Sequence, residues 1–428
     1  MRSILKDERT LARCHIAKML LSQSETPHIS FHTPGHKVND LDITELSYSD
    51  NLSSPKGCIR AAQEDIAAIL GAKQSFILTD GSTSGVYSML KAAFDGGVKR
   101  VAAPLLSHKS FFNGCALLGL APVLFEAPQG SIPLPVRLED AEAALSGADA
   151  LFLTSPDYYG NIPDLPAIAA LCQRQGKPLL IDGAHGGHLH FTPALYAGTY
   201  ADLWVDGVHK SLPALTQGAV VSAKTQAWGE KLKTAVDFFR TSSPSYPIMA
   251  SVEYAVKYPR NLQLETLVHT LFSDCSCVRV SEDWTKLLLF VKNGFLVAKG
   301  LESVGVYPEF SDENLVCFYL SPATSAEELN GLKEAIRRLE ERGETLDKKT
   351  LERAPAPQKL QNIAGKECEW IPLAGAAGRI SAGFCGLFPP CLPLVFLGER
   401  IEEEKIARLQ SATGVFGIEN DKILVVKE

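Results

Sequence analysis

From about residue 60 the sequence repeats one alternation, a short apolar run followed by a helical pattern. The runs are "SFILT" (75–79), "VAA" (101–103), "PVLFE" (122–126), "ALFLT" (150–154), "PLLID" (178–182), "DLWV" (202–205) and "GAVVSA" (218–223). A strand that is apolar at nearly every position has no face to offer water, so it belongs inside a sheet covered on both sides. Segments such as "IPDLPAIAALCQRQGK" supply the covering helices, and helical crossovers join parallel strands. Seven such runs predict an α/β fold with a wide, mostly parallel seven-stranded sheet. With 428 residues, 46% of them hydrophobic, the chain can fill that core and still build further domains.

In open sheets of this kind ligands collect beyond the carboxyl ends of the strands. Here those ends are polar or glycine-rich: Thr79 leads into "DGSTSG", Thr154 into "SPDYYG", Ile181 into "DGAHGGH" and Val205 into "DGVHK". One edge of the sheet is thereby predicted to carry Ser, Thr, Asp, His and Lys together.

Three of these endings form a constellation. "TDGSTSGVYSMLKAAF" runs from a glycine turn into a helix whose free N–H groups suit a phosphate, with Ser82, Thr83 and Ser84 as hydroxyl donors. It has no GxxxxGK[ST] lysine, which argues against a nucleoside triphosphate. Asp182 ends its strand at a buried edge, where a carboxylate needs a partner such as a protonated ring nitrogen. Lys210 ends the next strand-like run, and buried lysines readily become the neutral amines that form Schiff bases. Taken singly, these are an N-cap, a turn acid and a lysine reaching for solvent. Together, in that order on one sheet, they are what holding pyridoxal phosphate requires.

Beyond about residue 255 the pattern changes. "WTKLLLFVKN", "GVYPEF", "NLVCFYL" and the helical "SAEELNGLKEAIRRLEERGE" predict a smaller α+β domain, and "KKTLERAPAPQKLQ" reads as a connector. We divide the chain into an N-terminal helical segment (1–30), a large cofactor-binding domain (31–258), a small domain (259–345) and a connector with C-terminal segment (346–428). The 42 basic and 49 acidic residues, net charge −7, point away from nucleic acid and membrane surfaces. The N-terminus lacks the apolar stretch of a signal peptide, and no later segment is apolar for the length of a membrane span, so a cytoplasmic location is expected. Ten scattered cysteines without a CxxC pair read as reduced thiols, Cys275 and Cys277 included.

Nine motifs then fall in register with one family. "FHTPGHK" (31–37), "LDITE" (41–45), "GSTSG" (81–85), "SHKS" (107–110), "TSPDYYG" (154–160), "DGAHGGH" (182–188), "HKSLPALTQ" (209–217), "TSSPSY" (241–246) and "GRISA…FPPCLPLVFLGE" (378–399) resemble the Orn/Lys/Arg decarboxylases in order, over nearly the whole chain. The resemblance implies a fold type I, aspartate-aminotransferase-like pyridoxal-phosphate enzyme. It also implies a homodimer or higher homo-oligomer, with the site at the subunit interface, and decarboxylation of arginine, lysine or ornithine. Lys210 matches the Schiff-base lysine, Asp182 the acid on the pyridinium nitrogen, His108 the imidazole stacked on the cofactor, and Ser82 and Thr83 the phosphate turn. His185 and His209 match histidines lining the pocket. Lys210, His209 and His108 are candidates for the acid that protonates Cα. Asp42, Glu45 and Asp50 are candidates for the substrate's distal cation, and Arg379 for its α-carboxylate or for structural pairing.

Asp80, Gly183, Gly207, Gly383 and Cys391 depart from the family pattern, Gly207 by removing a hydroxyl expected at the phosphate. Asp206, beside that turn, is expected to point away from it. A different pyridoxal-phosphate reaction (transamination, β-elimination) or a weakly active regulatory homologue is the alternative reading. A metal hydrolase built on Asp182, His185, His188 and His190 is a third, but their spacing fits no zinc motif and leaves Lys210 without a role, so no metal is expected.

Overall fold

The computed structural model describes residues 5–25, 29–37, 42–126, 132, 134–348, 361, 363, 366–387, 392–412 and 414–427. Leu41, most of the proline-bearing connector and Cys391 lie outside them. All seven apolar runs are strands: β1 (Gln74–Leu78), β2 (Arg100–Pro104), β3 (Ala121–Phe125), β4 (Ala150–Thr154), β5 (Leu179–Gly183), β6 (Leu203–Asp206) and β7 (Ala219–Ala223). They form one sheet in the order β1-β7-β6-β5-β4-β2-β3, parallel from β6 to β3, with β7 antiparallel to both of its neighbours.

The continuous apolarity has the predicted cause. Ile181, Trp204 and Val220 enter the core on one face of the sheet, while their strand neighbours Leu180, Val205 and Val221 enter the core on the other. Helix Gly81–Asp95 lies against the second face, and Gly85 permits its close approach. A Cβ on Gly85 would stand 2.5 Å from Cγ2 of Val205. This packing sets the amino end of the helix at the carboxyl edge of the sheet.

The small domain is an antiparallel sheet in the order β10-β11-β9-β8, where β8 is Val278–Val280, β9 Lys286–Phe290, β10 Phe310–Ser311 and β11 Leu315–Tyr319. Helices Leu262–Phe272 and Ala326–Glu341 cover it through Val268, Phe272, Leu329 and Ile336. The second helix opens with a Ser325–Glu328 capping box, a device worth about 1 kcal/mol. The C-terminal segment adds two three-stranded sheets and meets the large domain where Phe384 packs 4.3 Å from Phe112.

At the other end of the chain, helix His15–Ser24 docks through Glu253. This buried carboxylate accepts the N–H groups of His15 (2.6 Å) and Ile16 (2.8 Å). His15, Asp65 and Glu253 superficially resemble a cation site, but the Lys257 ammonium already occupies the cluster, 2.6 Å from Asp65 and 2.8 Å from Glu253. Among the described residues no helix is long and apolar enough to cross a membrane.

Candidate active site

Strands β4, β5 and β6 end level with one another, because the register pairs Thr154 with Asp182 and Asp182 with Val205. Their polar continuations therefore meet at one edge, together with His108 after β2 and the start of helix Gly81–Asp95. The cavity there is lined by Ser82, Leu106, His108, Thr154, Asp157, Tyr158, Tyr159, Asp182, Ala184, His185 and Lys210. Residues from five separate segments of sequence thus share one space.

Lys210 sits on the single helical turn Val208–Ser211, and its Nζ is 3.1 Å from Nε2 of His185. Burial lowers the His185 pKa well below the usual imidazole value, and the nearby Lys210 and Lys286 ammonium groups lower it further. The ring stays neutral, so its Nε2 can accept a hydrogen bond from the Lys210 amine. Asp182 accepts the Ala184 N–H at 3.0 Å; burial raises its pKa, and Lys210 opposes that rise. His108 caps helix Lys109–Leu118 by accepting the Ser110 N–H at Nδ1 (3.2 Å). Burial, with Lys210 and Lys109 adding to it, brings its pKa down to about 3, so it presents a neutral ring to the cavity.

Other expected site residues lie elsewhere. The His209 ring does not line the cavity; its Nδ1 is 2.9 Å from the Gly218 carbonyl. Thr83 is at the helix start but exposed, whereas Ser82 faces the cavity. Asp42 pairs with His36 at 3.1 Å, and Glu45 accepts the Thr44 hydroxyl at 2.9 Å, neither of them lining the cavity within this chain. Asp50 serves a helix start instead, accepting N–H groups of Asn51, Lys56, Gly57 and Ile59. Arg379 does not line the cavity within this chain. It belongs to the C-terminal sheets, where it holds Glu369 at 2.8 Å and the Val426 carbonyl at 2.9 Å. Of the two roles considered for it, the structural one fits.

The histidine-rich loop gives no metal cluster among the described residues. His188 pairs with Asp283 of the small domain at 2.8 Å, and His190 Nδ1 meets the Gly187 carbonyl at 2.7 Å. Both histidines are thereby taken up in structure.

Two of the departing glycines have a steric reason. A Cβ at Gly207 would lie 2.3 Å from the Ala184 carbonyl oxygen, and one at Gly183 would lie 2.9 Å from the Val205 carbonyl oxygen and 3.2 Å from Asp206 Oδ1. The ends of β5 and β6 approach too closely here for the serine and the acid of the family pattern. Asp206 does point away from the phosphate turn: its Oδ2 accepts the Tyr196 hydroxyl (2.6 Å) and the Trp204 indole N–H (3.1 Å).

Burial raises the Asp206 pKa to about 7. Between its ordinary 3.8 and about 7 the native state holds a proton that the unfolded chain has released, so stability falls as pH rises through that window. In urea denaturation from pH 5 to pH 8, Asp206→Asn is expected to lack this component of the slope. An unchanged slope would show that Asp206 is ionised in the fold.

Sequence reasoning passed over the small domain's contribution. Asp283, Thr285 and Lys286 reach the seam behind His185 and are buried, although "WTKLLLFVKN" reads only as a strand. The one hint was Asp283 and Lys286, two charged residues just ahead of the apolar run 287–291.

The edge also suits the cofactor. Thr154 Oγ1, Ser155 Oγ and His185 Nδ1 are buried there without hydrogen-bond partners, and buried polar groups are otherwise nearly always satisfied. Residues 31–291 match the Orn/Lys/Arg decarboxylase major-domain family. The chain belongs to this family. It is 30% identical to YaaO of Bacillus subtilis (strain 168) over 92% of each chain. It is 28% identical to the arginine decarboxylase of the same strain, over 90% of this chain and 93% of that one. Escherichia coli constitutive lysine decarboxylase superposes with a TM-score of 0.72 at 19% identity, over 96% of this chain and 82% of that one. Sphingomonas wittichii serine palmitoyltransferase superposes at 0.52 with 14% identity, over 66% and 76%. The shared architecture is fold type I of the pyridoxal-phosphate enzymes.

Proposed function

We propose that this decarboxylase-family chain removes the carboxyl group of arginine, lysine or ornithine, with pyridoxal phosphate as cofactor, releasing CO₂ and the corresponding amine. The observation that carries the reading is the convergence of the Lys210 amine and the Asp182 carboxylate on one cavity. Bound there, the cofactor would supply an aldehyde to capture amines and a cationic ring to accept the electron pair left by departing CO₂.

Lys210 would hold the aldehyde carbon, Asp182 the ring nitrogen, and His108 the ring face. Ser82 and the N–H groups opening helix Gly81–Asp95, those of Ser82 and Thr83 among them, would hold the phosphate. Asp182 is suited to a cation because a buried carboxylate gains a partner when one arrives. His185, kept neutral, would accept a hydrogen bond from the Lys210 amine at Nε2 and so orient the nitrogen for attack.

For returning a proton to Cα, the geometry favours Lys210 over the two histidines. His108 is held neutral, with Nδ1 already accepting from Ser110, and His209 is turned to Gly218. Such a positioned acid contributes roughly 10²–10⁴-fold.

A homodimer is part of the proposal. Ile29 and Phe31, beside and within "FHTPGHK", stand 84% and 93% exposed, as residues that a second copy covers would. A monomer by light scattering would count against it.

The deciding assay incubates purified protein and pyridoxal phosphate with each amino acid labelled at the carboxyl carbon. The expected result is labelled CO₂ with agmatine, cadaverine or putrescine. A 2-oxo acid without CO₂ release would instead establish transamination.

A further inference from the structure

We propose that Lys286 of the small domain is a positioning residue for Lys210: locked beside Asp283, its ammonium holds the main-chain carbonyl of His185 and so keeps the His185 ring aimed at the Lys210 amine. The inference rests on the reading of Lys210 as the amine that captures the cofactor.

Lys286 is 1% exposed and lies at the start of β9, across the domain seam from the loop after β5. Its Nζ is 2.8 Å from Asp283 Oδ2, donates to Thr285 Oγ1 at 2.8 Å and to the His185 carbonyl at 3.3 Å, and stands 4.7 Å from the centre of the Tyr319 ring. An ion pair, two hydrogen-bond acceptors and an aromatic face surround the buried ammonium.

Asp283 fixes that set from behind. Its Oδ1 meets His188 at 2.8 Å and accepts the Thr285 N–H and hydroxyl at 3.0 and 2.6 Å. The loop carrying His185 and His188 is therefore gripped at two points by one four-residue stretch of the small domain, 283–286. A neutral side chain at 286 would release the first point and leave the second.

The ring so held is faced by Lys210 from the turn after β6, His108 from the turn after β2, and Lys286 and Asp283 from the small domain. Tyr158 and Tyr319 meet it edge to face at 5.1 and 5.5 Å. Lys286 is a cation in that set, and its loss makes protonation of His185 easier.

The test uses full-length Lys286→Met, with Asp283→Asn/Lys286→Met as a second variant that removes both charges in case the first does not fold. In cofactor-free protein, the His185 imidazole is titrated by NMR and the rate at which Lys210 forms its pyridoxal-phosphate adduct is followed after borohydride trapping and peptide mapping. The expected result is an upward shift of the His185 midpoint in Lys286→Met, opposed in the double variant by loss of the Asp283 charge, and in both variants adduct formation slowed roughly ten- to a hundredfold, the scale of an ångström-level misplacement.

A purely structural Lys286 would lower the melting temperature while leaving the midpoint and the rate of the folded variant unchanged, which overturns the inference. Failure of the unsubstituted protein to form any adduct overturns the Lys210 reading and this inference with it. Adduct formation without CO₂ release overturns only the proposed reaction.

Discussion

Lys210→Ala is expected to form no borohydride-trappable adduct with pyridoxal phosphate and to lose at least about 10³-fold in decarboxylation, the order seen when an essential nucleophile is removed. Among the described residues, the cavity lining offers no second amine. Lys286, a lysine close by, has its ammonium committed to Asp283, Thr285 and the His185 carbonyl. The substitution removes the side chain that faces His185 and lies on a single helical turn outside the sheet, so the fold should lose about 1 kcal/mol or less. Peptide mapping after borohydride, release of labelled CO₂, and a melting curve measure the three quantities separately. An adduct that persists in the alanine variant, or forms on another residue of the unsubstituted protein, would end the assignment.

Asp182→Asn is expected to keep the adduct and lose roughly 10²–10³-fold in turnover, comparable to deleting one group that stabilises transition-state charge. The amide matches the carboxylate in shape and can still accept the Ala184 N–H, but it cannot keep a ring nitrogen protonated. A pH effect accompanies it. Because burial raises the Asp182 pKa, cofactor affinity in the unsubstituted protein should weaken on acidification at a higher pH than an ordinary aspartate would dictate, and the asparagine variant should lack that limb. Cofactor binding by the two proteins, measured across pH by fluorescence, tests the sign. Identical profiles would remove Asp182 from the role.

The residues most visible in the sequence were those whose position along a strand already determines their surroundings. Asp182 and Lys210 each follow an apolar run, so reading the runs as strands was enough to place both near one sheet edge. Ser82 follows by the same reasoning, since it opens a helix directly after a strand, whereas His108 was legible only through the family resemblance. The substrate-side assignments had no such support. Asp42, Glu45 and Arg379 lie in segments without strong periodicity, and within this chain they pair with His36, Thr44 and Glu369.

Gly207 shows a different limit. A missing hydroxyl looks like a loss on paper, yet the Ala184 carbonyl stands where its Cβ would be. Close approach between two backbones separated by more than twenty residues leaves no mark in either local sequence.

What the sequence determined by itself is the sheet, its two covered faces and the chemistry gathered at its carboxyl edge, because apolar periodicity and turn residues act over a few neighbouring positions. Only the tertiary structure decided that the small domain takes part, with Asp283 and Lys286 set against His188 and His185 across about a hundred residues of chain. That decision belongs to packing: burying an ammonium and a carboxylate is tolerable only where partners from distant segments arrive together, and no local pattern specifies such an arrival.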